Sequence, residues 1–135
     1  MLLLVLAQPR LLAAGRLGRH RYPSGAYLYV GSALGAGGLQ ARLRRHLSPG
    51  RRPRWHVDRL LAVARPRALF AVVSRTRLEC RWARALVRAG ALPAVPGFGA
   101  SDCRCATHLF RWPEPLERIP APPGGRVLRR YSIPR

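Results

Sequence analysis

Lysine is missing from this 135-residue chain and acids are scarce: all 25 basic side chains are arginine, against 5 acids, for a net charge of +20. That excess goes beyond what solubility needs and points to a polyanionic partner. Nucleic acid fits better than a membrane surface, because no segment has the apolar face of an interfacial helix. A biased genome accounts for arginine in place of lysine, but not for the shortage of acids. Cysteine is nearly as rare. Cys80, Cys103 and Cys105 cannot close a paired disulfide framework, and the last two are too near in sequence for an easy bridge, so a reducing cytoplasmic setting is expected. Long hydrophobic runs are also lacking. Met1 to Ala7 is apolar but far short of the ~20 residues of a membrane span, and it has no basic leader or cleavage site, so it reads as a strand.

What is present fits one domain with a modest core, the usual outcome at ~100–150 residues. Leu2 to Ala7 has the continuous apolar character of a buried strand, and Pro23-Ser24-Gly25 is turn chemistry leading into a second, antiparallel strand through Tyr27 and Tyr29. Ala36-Gly37-Gly38 then turns the chain into a helix with Leu39, Leu43 and Leu47 on one face, followed by a basic loop, Arg51-Arg52-Pro53-Arg54. Trp55, Val57, Leu60, Leu61 and Ala64 recur near helical spacing up to Pro66, and Ala68 to Val73 reads as a third strand. Thr76 is expected to open a helix that Gly90 closes. Residues 91–105 read mostly as loop, 104–112 as a short edge strand, and the prolines from Pro113 onward as an extended tail. The expected fold is a small single-domain α/β structure over residues 1–112, a three-stranded antiparallel sheet flanked by helices, with a Pro/Arg-rich tail over 113–135.

The chemistry concentrates at one junction. A strand places Tyr27 and Tyr29 on the same face, and a helix places Arg42, Arg45 and His46 within one turn of each other. Phenols, guanidinium groups and an imidazole beside a glycine-rich link suit an anionic phosphodiester. Tyr29-Val30-Gly31-Ser32-Ala33, with Arg42 and His46 one helix later, resembles the second half of the GIY-YIG nuclease motif. Trp55-His56-Val57-Asp58-Arg59-Leu60-Leu61, Glu79-Cys80 and the segment Gly97 to Phe110 resemble the Uri-type branch of that superfamily. The resemblance spans roughly the first four-fifths of the chain in four ordered motifs.

The resemblance implies an endonuclease that hydrolyses DNA phosphodiesters with Mg²⁺ or Mn²⁺. Tyr29, with Tyr27 beside it, would act as general base or water-orienting phenol; a phenol of pKa ~10 needs a metal or arginine neighbour for that task. Arg42 would bind the scissile phosphate through its planar guanidinium, His46 would protonate the leaving oxygen, and Glu79 would hold the cation. Arg45, Arg51, Arg52 and Arg54 would contact the nucleic acid. Plainer readings stand beside these. The tyrosines can be ordinary strand residues, Arg44 and Arg45 a solvated face, and Thr76-Arg77-Leu78-Glu79 a capping box in which the glutamate reaches back to the N-cap amide.

Cys103-x-Cys105-x2-His108, with His56 or Cys80 as fourth ligand, has the residue types of a zinc site but no zinc-finger spacing, and free thiols packing a loop are the expectation. Asp102 sits on a Gly97-Phe98-Gly99 loop that can approach the active face, while His56 and Asp58 are expected as a hydrogen-bonded pair. One departure remains. The superfamily's first motif, Gly-Ile-Tyr or a relative, has no counterpart, and Met1 stands where its tyrosine is expected. The start then lies further upstream, or catalysis proceeds without that tyrosine, or the domain is a non-cleaving nucleic-acid-binding module. An accessory domain of a DNA-repair glycosylase is the remaining alternative.

Overall fold

The structure, a computed structural model, describes residues 1–31, 38, 41, 44, 45, 48, 56–72, 74–123 and 129–132. A strand covered on both faces must be apolar almost throughout, and β1 (Leu2–Leu6) takes that central position. It runs antiparallel to β4 (Gly25–Tyr29) on one side and to β5 (Arg65–Ala71) on the other. The register between β1 and β5 shifts between Leu3 and Leu4, where Pro66 stands opposite Leu4. A proline has no N–H for the ladder, so an irregularity there is expected.

The sheet is wider than three strands. Its order is β6-β7-β4-β1-β5-β8, with β6 at Leu92–Pro93, β7 at Leu109–Trp112 and β8 at Arg129–Ser132. Strand β7, expected at the edge, is internal because β6 pairs outside it, and β8 extends the opposite side by pairing with β5. A separate ribbon joins β2 (Arg10–Ala13) to β3 (Arg19–Tyr22). Strand β6 is two exposed residues, and in the β2–β3 ribbon Tyr22 is the one buried side chain, so backbone pairing carries much of what holds these pieces. The expectation of a small α/β domain with an antiparallel sheet stands; among the described residues the main sheet has six strands where three were expected.

Period-two alternation divides the core. Leu2, Leu4, Leu6, Tyr27 and Tyr29 face one side, where they meet Val57 and Leu60 of α1 (His56–Leu61) together with Val95 and Phe98. Met1, Leu3, Leu28, Val30 and Phe70 face the other side, against Trp82, Ala83 and Leu86 of α2 (Glu79–Arg88). Each fully buried side chain of this size contributes ~1.5–3 kcal/mol. Helix α2 begins three residues later than Thr76; its N-cap is Leu78, which makes no side-chain cap bond. Its end is as expected, since Gly90 adopts φ +101° and the Ala91 N–H reaches the Leu86 carbonyl at 2.9 Å.

The proline-rich segment lies along α2. Trp82 donates its Nε1–H to the Pro123 carbonyl at 2.5 Å, Trp112 donates to Pro115 at 3.0 Å, and Ile119 is buried in the α2-side cluster. Among the described residues, no helix is long and apolar enough to cross a membrane.

Candidate functional site

Tyr29 ends β4 opposite Leu2 of β1 and Leu109 of β7. Its ring meets Phe98 edge-on, with centroids 6.1 Å apart at 80°. Phe98 is anchored in the core and brings the 97–99 turn with it, held by a 2.7 Å bond from the His108 N–H to the Phe98 carbonyl. Gly99, at φ +65°, lets that turn approach. A Cβ there would come within 3.3 Å of the His108 Cβ and 3.4 Å of Tyr29 Cε2. The strand after Tyr29 is tied down too, because the Val30 N–H donates to the His108 carbonyl at 3.0 Å.

These elements enclose a cavity of about 120 Å³ lined by Tyr29, Gly31, Arg77, Glu79, Asp102 and His108, among others. Glu79 is 9% exposed; its Oε1 lies 4.0 Å from Arg77 Nη1, and its Oε2 is buried with no hydrogen-bond partner among the described residues. An unsatisfied buried carboxylate oxygen is costly, so the position invites a cation or water. The plainer capping-box reading of Glu79 does not hold. Glu79 is the first residue of α2 and not its third, so no N-cap amide lies where its carboxylate could reach back.

Arg77 was not singled out by sequence, although it stands two residues before Glu79. Its Nη1 donates to Asp102 Oδ2 at 2.6 Å. That bond holds the Asp102 carboxyl below the usual carboxylate range and raises Arg77 in turn. Both side chains are largely exposed, so the pair adds little stability. Its consequence is positional: a guanidinium stands beside the buried carboxylate.

The other expected residues divide. Tyr27 shares a face with Tyr29, but its hydroxyl donates to the Pro23 carbonyl at 2.5 Å and its ring packs on Tyr22. Burial raises its pKa, with Arg111 opposing. Arg45 donates from Nη2 to Asp58 Oδ2 at 3.0 Å, and the two side chains are only 17% and 12% exposed. Asp58 therefore has Arg45 as a partner, whereas the expected His56 ring packs on Phe98 at 5.4 Å. Met1 packs with Leu3, Leu28 and Val30 on the face opposite Tyr29. Arg42, His46, Arg51, Arg52 and Arg54 lie outside the described residues.

Next to the cavity, Cys80, Cys103, Cys105 and His108 converge, with all four ligand atoms within 4.8 Å of one another. His108 Nε2 lies 3.5 Å from Cys103 Sγ and 3.9 Å from Cys80 Sγ. A tetrahedron with Zn–S ~2.3 Å and Zn–N ~2.0 Å has S···N edges of ~3.5 Å and S···S edges of ~3.8 Å; the His108–Cys103 distance equals such an edge, and the cluster, within 4.8 Å overall, is close enough to draw in around a zinc-type ion. Sequence left the fourth position open between His56 and Cys80; the first turn of α2 supplies Cys80. The three cysteines are free and half-buried. Burial, followed by the neighbouring Cys105 and Cys103 thiols, pushes Cys80 up to about 12. Burial also lowers His108, which keeps the ring neutral as a ligand must be. These four donors can hold a metal ion of the zinc kind.

No curated protein and no solved structure matches the chain. Residues 1–121 match the family described as domain of unknown function DUF123, and the chain belongs to that family.

Proposed function

We propose that this domain is a metal-dependent endonuclease of the GIY-YIG kind, hydrolysing DNA phosphodiesters at the cavity between Tyr29 and Glu79. The observation that carries the reading is the buried Glu79 carboxylate: its Oε2 has no hydrogen-bond partner among the described residues, and the residue lines a cavity of about 120 Å³ together with Tyr29. A hard oxygen donor with no partner among the described residues fits Mg²⁺ or Mn²⁺, and substrate phosphate and water would supply the remaining oxygen ligands. A divalent ion held there supplies Lewis-acid stabilisation of charge on the phosphate oxygens. Tyr29 orients or deprotonates the attacking water, Arg42 grips the scissile phosphate and His46 protonates the leaving oxygen. Arg77 adds positive charge at the same cavity.

A second reading is favoured by β1. Leu2 stands across from Tyr29 and β1 carries no tyrosine, while the Tyr27 hydroxyl is engaged by the Pro23 carbonyl, so the reaction would proceed with Tyr29 as its phenol, or the domain binds nucleic acid without cutting it. Labelled linear, nicked and branched DNA, incubated with and without Mg²⁺ or Mn²⁺, separates the two. Divalent-dependent cutting that disappears in a Glu79→Gln protein of parental stability supports the nuclease. Tight, salt-sensitive binding with no cutting of any substrate supports the binding module.

A further inference from the structure

We propose that Cys80, Cys103, Cys105 and His108 hold one Zn²⁺, and that this ion locks the first turn of α2 onto the 97–108 loop so that Glu79 is kept facing Tyr29. The site is not part of the nuclease reading, and metal content and stability test it whether or not DNA is cut.

The donors come from separate pieces of chain: Cys80 from the start of α2, Cys103 and Cys105 from the loop, and His108 from the residue before β7. Such convergence brings four soft or borderline donors within reach of one tetrahedral ion. Four protein ligands close that shell, which is the arrangement of a structural ion, whereas a catalytic zinc keeps one position open. Thiolate sulfurs also select against Mg²⁺ and Ca²⁺, so the ion is distinct from the one Glu79 would hold.

Packing alone does not account for the cluster. Among the described residues, Cys105 touches the α2-side core, but Cys80 and Cys103 belong to neither hydrophobic cluster. Residues 94–108 contain no helix or strand, and connections of that length are uncommon in compact domains; Val95 and Phe98 anchor the first half in the core, while Cys103 and Cys105 lie in the second half. A zinc ion fastens that second half to the start of α2. It also acts on the cavity directly, because Cys80 is bonded in sequence to Glu79 and His108 lines the cavity wall. Binding converts three thiols to thiolates and releases their protons to solvent. Arg84, which shares a second cavity wall with Cys105, lies on the side where the resulting negative charge is partly offset.

The full chain, purified without added metal or chelator, is expected to carry one zinc per molecule by elemental analysis. Its thiols should stay unreactive until a mercurial displaces the ion. Replacement by Co²⁺ should give the visible bands of tetrahedral cobalt with thiolate charge transfer, a measurement that needs no variant to fold. Removing zinc should lower Tm by at least ~5 °C, and Cys103→Ser should reduce both zinc content and Tm. If the nuclease reading holds, the same variant loses cutting while Glu79 is intact; if only that reading fails, zinc and Tm still respond. Wild-type protein with freely reactive thiols, under about a tenth of an equivalent of zinc and no cobalt spectrum overturns the site. A disulfide between any two of these cysteines, or unchanged zinc in Cys103→Ser, overturns it as well.

Discussion

A shift of helix start by a few residues changes what Glu79 can do. Had Thr76 been the N-cap, the carboxylate would have bonded the N-cap amide; with the helix beginning at Glu79, Oε2 is buried without a partner among the described residues. Glu79→Gln is therefore expected to melt like the parent, and Glu79→Ala to cost less than ~1 kcal/mol, the size of a lost charge–dipole contact, instead of a full cap. Thermal melts of both variants check this, and a large loss in Glu79→Gln would mean that the ionised carboxylate supports the fold. Tyr22 gives a pH dependence. Burial pushes its phenol up to about 12, against ~10 in the unfolded chain. Since the folded value is the higher one, this contribution to stability is complete below pH ~10 and falls away as pH rises toward 12. Urea unfolding between those limits should show the decline, and Tyr22→Phe should flatten it.

At the scale of elements, strands with two buried faces were readable and strands held by pairing were not. β1 and β4 announce themselves as apolar or aromatic runs, whereas β6 is two residues long and the β2–β3 ribbon carries exposed arginines. The proline-rich segment is similar. Its composition suggests an extended tail, yet Ile119 is buried against α2, Trp82 bonds Pro123, and β8 pairs with β5. Deleting residues 113–135 is expected to destabilise the domain by at least ~2 kcal/mol, the value of one buried isoleucine before any ladder bonds are counted. It should also shift tryptophan emission to the red as the Trp82 indole meets water. Urea titration with fluorescence detection measures both, and unchanged values would show that the segment lies against the domain without supporting it.

For the whole molecule, the +20 charge sets how a nucleic acid would be held. Arg10, Arg16, Arg19 and Arg21 stand exposed on and beside the β2–β3 ribbon, separate from the Arg45 that Asp58 engages. A partner held by several phosphate contacts should lose affinity with a log–log salt slope near −0.9 per contact on duplex DNA. Titration of labelled duplex and single strand across salt measures the slope. An affinity indifferent to salt would remove the polyanion from consideration. Replacing the four ribbon arginines with glutamine should weaken binding without touching the Tyr29 and Glu79 cavity.

Composition and local pattern determined what depends on near neighbours: an excess of positive charge, a central apolar strand, two tyrosines on one face, and the glycine at the end of α2. The family resemblance brought Glu79 to notice, the residue types of a zinc site brought Cys103, Cys105 and His108, and the Gly97-Phe98-Gly99 loop brought Asp102. Which of these meet was decided only in three dimensions. Cys80 joins Cys103, Cys105 and His108 because β7 pairs beside β4 and draws the loop before it across the start of α2. His56, equally plausible by residue type, is carried by α1 to the Phe98 side. Arg77 gained its place beside Glu79 through an ion pair with Asp102, 25 positions away. Spacing along the chain governs contacts within one helix turn or strand pleat, whereas ligand sets and cavities come from segments whose approach is set by sheet order and packing.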